Sequence, residues 1–209
     1  MANSLIPVRN PALREAFKQR AIHHVRFVPP AADADYFKTS TVLAAAATTL
    51  AAASMTKSYV PGMPVAPVVV VTNDKASGGV DDWTSVTLSM TGIDQFGHKI
   101  TETVAGTESG AVWTCACTHA YLRPVTLTFT IVQGDGDTPD GNDTYVVGFA
   151  KTYGLGCAIE KSDDAVITNF DGATDAGTVD TTRHTFAFAG TPDAAKVAEF
   201  YVIPECAPW

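Results

Sequence analysis

Residues 85–104, SVTLSMTGIDQFGHKITETV, decide the fold class. Val86, Leu88 and Met90 alternate with Thr87, Ser89 and Thr91, the period of two that belongs to a half-buried strand. Gly92 is expected to end this strand. Asp94 can accept hydrogen bonds from the amides of a following turn, and Gly97 can adopt the positive φ that a reversal requires. Lys99 to Val104 then resumes the extended pattern. The stretch reads as a β-hairpin with threonines on one face, and nothing in it has the character of an active-site loop.

The same signal spreads outward. In residues 123–133, Val125, Leu127, Phe129 and Ile131 face one way and Thr126, Thr128 and Thr130 the other. Further short apolar runs lie at 65–72, 111–118, 144–150, 157–161, 165–169, 178–188 and 197–203. The 16 glycines and 12 prolines fall between such runs as punctuation. No long helical pattern separates them, which argues against a parallel α/β sheet. The expectation is an all-β body, residues 61–209, built as an antiparallel, jelly-roll-like β-sandwich. Length alone leaves one large domain or two small ones open. Hydrophobic residues make up 46% of the chain and charged residues only 17%, a composition that buries a core.

Residues 1–60 read differently, as an extended or partly helical arm and a connecting segment. Pro7, Pro11, Pro29 and Pro30 bracket it, and residues 12–22 can form a short helix with Leu13 and Phe17 along one side. Such a helix is marginal alone and needs a partner surface. Residues 39–56 are rich in both alanine and threonine, so helix and strand remain open there.

The net charge of −8 is unevenly spread. Five basic groups and one acidic group in residues 1–28 make a +4 leader on a −12 remainder. Arg9, Arg14, Lys18, Arg20 and Arg26, with the apolar Leu13, Phe17, Ile22 and Phe27, are therefore the candidate partner-binding residues. Nucleic acid is not the expected partner, because the acidic body opposes it and the leader has no interleaved aromatics beyond Phe17 and Phe27. No secretory run follows Met1, and residues 42–53 are too short and too weakly apolar to span a bilayer. A cytoplasmic origin, with the four cysteines reduced and no membrane partner, is expected.

Chemistry-bearing groupings are few. Cys115, Cys117 and His119 share one face of a strand and are good zinc ligand types, but structural sites favour wider Cys spacing. The fourth ligand would have to come from Cys157 or Cys206. Buried cysteines that pack as small hydrophobes are the commoner outcome. Residues 134–143 hold four carboxylates, yet Pro139 stands where a calcium loop needs oxygen, and a plain hairpin loop explains the composition. His23, His24, His98, His119 and His184 have no catalytic motif around them. Asp81-Asp82 and Asp163-Asp164 are neighbours that point apart on an extended chain. The expectation is a non-enzyme with no metal and no cofactor.

The hairpin at 85–104 also resembles a recurrent segment of tailed-bacteriophage head decoration, or capsid cement, proteins. Asn142 to Gly148 followed by Tyr153-Gly154-Leu155-Gly156 is similar to a later segment of that family, and Ala198 to Ile203 to its final strand. The resemblance implies a β-rich structural protein that sits on the outer capsid surface, between major capsid proteins, and stabilises the filled head. It also implies contacts with copies of itself in a small cyclic oligomer such as a trimer. It carries no cofactor or catalytic residue. The Cys115/Cys117 pair and the proline-bracketed leader depart from the family pattern. The alternatives are another virion part, such as a tail tube, head-completion or tail-spike component, and a module that binds carbohydrate or a host surface.

Overall fold

A computed structural model describes residues 23–43, 45, 47–60, 63–73, 83–134, 139, 141–160, 165–170 and 177–202. Fourteen strands run through them. The first eight are β1 (His23–Phe27), β2 (Asp33–Val42), β3 (Ala47–Ala51), β4 (Val65–Thr72), β5 (Trp83–Asp94), β6 (Lys99–Ala105), β7 (Thr107–Ser109) and β8 (Val112–Ala116). The remaining six are β9 (Tyr121–Gln133), β10 (Thr144–Gly154), β11 (Ala165–Phe170), β12 (Thr178–Asp180), β13 (Thr185–Ala187) and β14 (Ala198–Val202). Among the described residues the only helical element is a 3₁₀ turn at Ala52–Ser54. Every pairing is antiparallel, so the chain is all-β and sandwich-like.

Eleven strands form one sheet that curls upon itself. Its spine runs β12-β13-β10-β4-β9-β5-β6, with β2 on β10, β3 on β9, and β8 bridging β4 and β7. Two places close the curl. At one, Val65 of β4 pairs with Tyr121 of β9 alone. At the other, β6 and β7 are nearly continuous, β6 pairing with β5 and β7 with β8. Gly106 is the corner between them. Its N–H donates to the Val86 carbonyl at 2.7 Å, and a Cβ there would stand 3.0 Å from that oxygen and 3.1 Å from Cys115 Sγ. The ring of Phe129 on β9 lies 4.9 Å from that of Tyr145 on β10, although β4 separates those strands in the order. In a flat sheet they would be roughly 9–10 Å apart, so the two faces have folded together.

The alternation of β5 and β9 sets the core. Val86, Leu88, Met90, Leu127, Phe129 and Ile131 are buried against Val69, Val71, Tyr145 and Val147, while Thr130 is exposed. Thr49 and Thr128, and Thr91 and Thr101, pair across strands through their hydroxyls at 3.0 and 2.8 Å. A second sheet, β1-β14-β11, covers one side through aromatics: Phe27 stacks on Phe200, which meets Phe186 and Phe188 edge-on or tilted.

Several expectations are corrected. Residues 23–60 are not an arm separate from the body, because β1 pairs with β14, β2 with β10 and β3 with β9. Gly148 makes the β2 pairing possible, since a Cβ there would overlap the backbone of Asp33 and Ala34. Within the ambiguous stretch at 39–56, β2 runs to Val42 and β3 covers Ala47–Ala51, followed by the 3₁₀ turn at Ala52–Ser54. The expected helix at 12–22 lies outside the described residues. Gly92 does not end β5, which continues to Asp94; glycine is required there because the Tyr121 ring and the Arg123 carbonyl occupy the space of a Cβ. Residues 157–160 form no strand, and residues 178–188 are not one strand but the tight β12–β13 hairpin.

Candidate functional site

Four turns meet at one end of the sheet, and the Asp94-Gln95-Phe96-Gly97 tip of the β5–β6 hairpin lies among them. Asp94 shapes the tip by accepting the N–H groups of Phe96 at 2.9 Å and His98 at 2.7 Å through Oδ1. Gly97 takes a φ of +85°, as the reversal requires. Gln95 fastens the tip to its neighbours. Its Nε2 donates to the carbonyls of Arg183 at 2.9 Å and His184 at 3.0 Å, and its Oε1 accepts the Gly156 N–H at 2.9 Å. Phe96 meets the His184 ring in a T-shaped arrangement, centroids 5.5 Å apart, yet stays 40% exposed. Asp94, Phe96, His119, Arg183 and His184 are among the residues that line a cleft of about 220 Å³. Arg183 is held by Asp180, Nη1 to Oδ2 at 2.8 Å.

Beside this cleft, Glu102 of β6 gathers the β8–β9 turn. It accepts the Thr118 N–H at 2.8 Å, the Thr118 hydroxyl, the His119 N–H at 3.2 Å and the Tyr121 hydroxyl at 3.4 Å. His119 Nδ1 lies 3.3 Å from Glu102 Oε2 without hydrogen-bonding geometry. Burial of Glu102 favours its neutral form, but the hydrogen bonds from Thr118 and His119 outweigh it and hold the carboxyl below the usual range. This is a carboxylate used as a clasp.

The cysteines near it are poor nucleophiles. Burial pushes the Cys115 thiol up to about 11, and burial, with the Glu102 charge added, raises Cys117 well above the ordinary value. Cys115 and Cys117 are both buried, whereas His119 is turned toward Glu102. Among the described residues no group of three or more His, Cys, Asp or Glu is placed to hold a metal ion. Much of the acidic 134–143 loop lies outside those residues; within it the Asp143 carbonyl accepts the Leu43 N–H at 2.8 Å.

Of the candidate partner-binding residues, Arg9, Leu13, Arg14, Phe17, Lys18, Arg20 and Ile22 lie outside the described residues. Arg26 and Phe27 are used within the chain. Arg26 Nε is 3.1 Å from Glu199 Oε1, and Phe27 lies 5.2 Å from Phe200 with nearly parallel rings. Exposed apolar groups stand elsewhere. Tyr59 and Leu122 flank a groove of about 550 Å³ floored by Met63, Pro64 and Ile93, with Arg123 at its rim, close to the hairpin tip. Sequence reasoning missed the roles of Gln95, Glu102 and His184, whose partners come from distant segments. No protein-family model, curated protein or solved structure matches the chain.

Proposed function

We propose that this chain is a structural virion protein that decorates a tailed-bacteriophage capsid, binding between major capsid proteins on the outer surface after assembly in the host cytoplasm. The reading rests on the resemblance at residues 85–104, 142–156 and 198–203. The observation that carries it is the build of the DQFG end. There a hairpin tip fixed by Asp94 and Gln95 presents the exposed Phe96, and a separate groove that includes Ile93 carries the exposed Leu122 and Tyr59; large apolar side chains held at the surface suit a protein contact. Buried neutral thiols and a carboxylate engaged by four donors suit a fixed part better than a reacting one. Contacts with further copies of the chain, and the basic leader reaching toward a capsid subunit, complete the reading.

Mass spectrometry and electron microscopy of virions containing the chain test it. Copies in proportion to the major capsid protein, seen as density on the head surface, support decoration. A few copies at the neck, or closed rings formed by the isolated protein, would replace it with a head-completion or tail-tube role.

A further inference from the structure

His184 occupies the left-handed backbone region, with φ of +53°, which few residues other than glycine and asparagine adopt. That conformation lets one residue hold the segment after β10 twice. The His184 carbonyl accepts the Leu155 N–H at 3.0 Å, and its ring Nδ1 accepts the Ile159 N–H at 3.1 Å. A ring nitrogen that accepts a hydrogen bond carries no proton, whereas both nitrogens of an imidazolium are donors. Only the neutral ring can hold Ile159.

We propose that His184 is an acid-sensitive latch: protonation of its ring releases Ile159 and loosens residues 155–159. Leu155 and Gly156 wall an apolar pocket of about 190 Å³ against Phe27, Phe186 and Phe200, so release of this segment opens the seam between the two sheets. The charged groups about the ring come from every neighbouring element. Arg183, paired with Asp180, belongs to the same hairpin. Asp94 and His98 stand at the β5–β6 tip, next to the Phe96 that abuts the ring. His119, backed by Glu102, lines the same cleft, and Cys157 and Glu160 lie in or beside the held segment. Arg183 opposes a second positive charge and the carboxylates favour it, but neither restores the lost acceptor. The latch is closed while the ring is neutral and opens on acidification once the ring takes up a proton and Nδ1 can no longer accept. This device is independent of any role on a capsid.

Amide hydrogen exchange on the full chain, corrected for the intrinsic pH dependence of exchange, reads it directly. The Leu155 and Ile159 amides should lose protection on acidification by up to about tenfold per pH unit, the slope of one proton, while amides of β5 and β9 keep theirs. Asparagine tolerates positive φ and offers an Oδ1 acceptor that does not titrate, so His184→Asn should keep the segment protected without the pH response. A response unchanged in His184→Asn, or abolished instead by His98→Asn or His119→Asn, would overturn the proposal. Should the His184 variant not fold, the wild-type NMR titration decides. Loss of Ile159 protection must share its midpoint with the His184 ring resonances, and a different midpoint refutes the latch.

Discussion

Removing the carboxylate of Glu102 tests whether the clasp holds the β8–β9 turn or merely decorates it. In Glu102→Ala the amides of Thr118 and His119 and the hydroxyls of Thr118 and Tyr121 all lose their acceptor. Hydrogen bonds to a charged group contribute about 1.5–3 kcal/mol each when nothing replaces them. Thr118 is exposed and His119 partly so, and water can take over there. Tyr121 is 1% exposed, so its hydroxyl has no such recourse without local opening. The expected loss is therefore about 2–4 kcal/mol, well short of the sum of four bonds. Glu102→Gln keeps one acceptor oxygen but turns an NH₂ toward donors, and should lose about half as much. Urea unfolding at pH 7 measures both. The pH dependence supplies a second reading. A carboxyl whose folded pKa is depressed stabilises the fold above its unfolded pKa, and that contribution is lost as pH falls through the folded value. Wild-type stability should thus decline below about pH 4 more steeply than that of Glu102→Gln. A Glu102→Ala protein within about 0.5 kcal/mol of wild type, or variants and wild type declining in parallel in acid, would refute the clasp.

Other expectations follow from the same contacts. Phe129→Ala empties the place where the two faces of the curled sheet meet, against Tyr145, and should cost about 3–5 kcal/mol in chemical denaturation; an unchanged midpoint would mean that the faces do not pack there. Gln95→Ala removes three hydrogen bonds between the hairpin tip and two other segments. It should lower exchange protection at Gly156 while leaving amides in the middle of β9 unaffected, whereas uniform loss across the sheet would refute a local fastening. Cys115 and Cys117, buried and with raised pKa values, should resist a thiol-selective disulfide reagent at pH 8 in the folded protein and react promptly in urea. Rapid labelling of either in native buffer would place it at the surface.

What the sequence made legible is what depends on neighbours along the chain. The β5–β6 hairpin could be read because alternation, an Asx-type residue and a glycine with positive φ all act within a dozen positions. The same local logic misassigned Gly92. Glycine normally marks a stop, but here it clears room for Tyr121, and no pattern within β5 announces a ring arriving from β9. The β12–β13 reversal was hidden for the opposite reason: Thr181-Thr182-Arg183-His184 has neither glycine nor proline. The turn is imposed by Asp180 accepting the Thr182 and Arg183 amides and by His184 taking φ +53°. Likewise the five residues of β1 are too short to declare themselves, since their partner β14 lies at the far end of the chain. Glu102 shares the inward-facing side of β6 with Ile100 and Val104, so alternation marks it only as a charge out of place, and the groups that satisfy it, from Thr118 and His119, arrive from another turn. The residues that distinguish this end of the molecule are therefore those whose local signal names no partner. Their roles are fixed by loop closure between distant strands, so a single substitution at Gln95, Glu102 or His184 should disturb that end while leaving the alternating core in place.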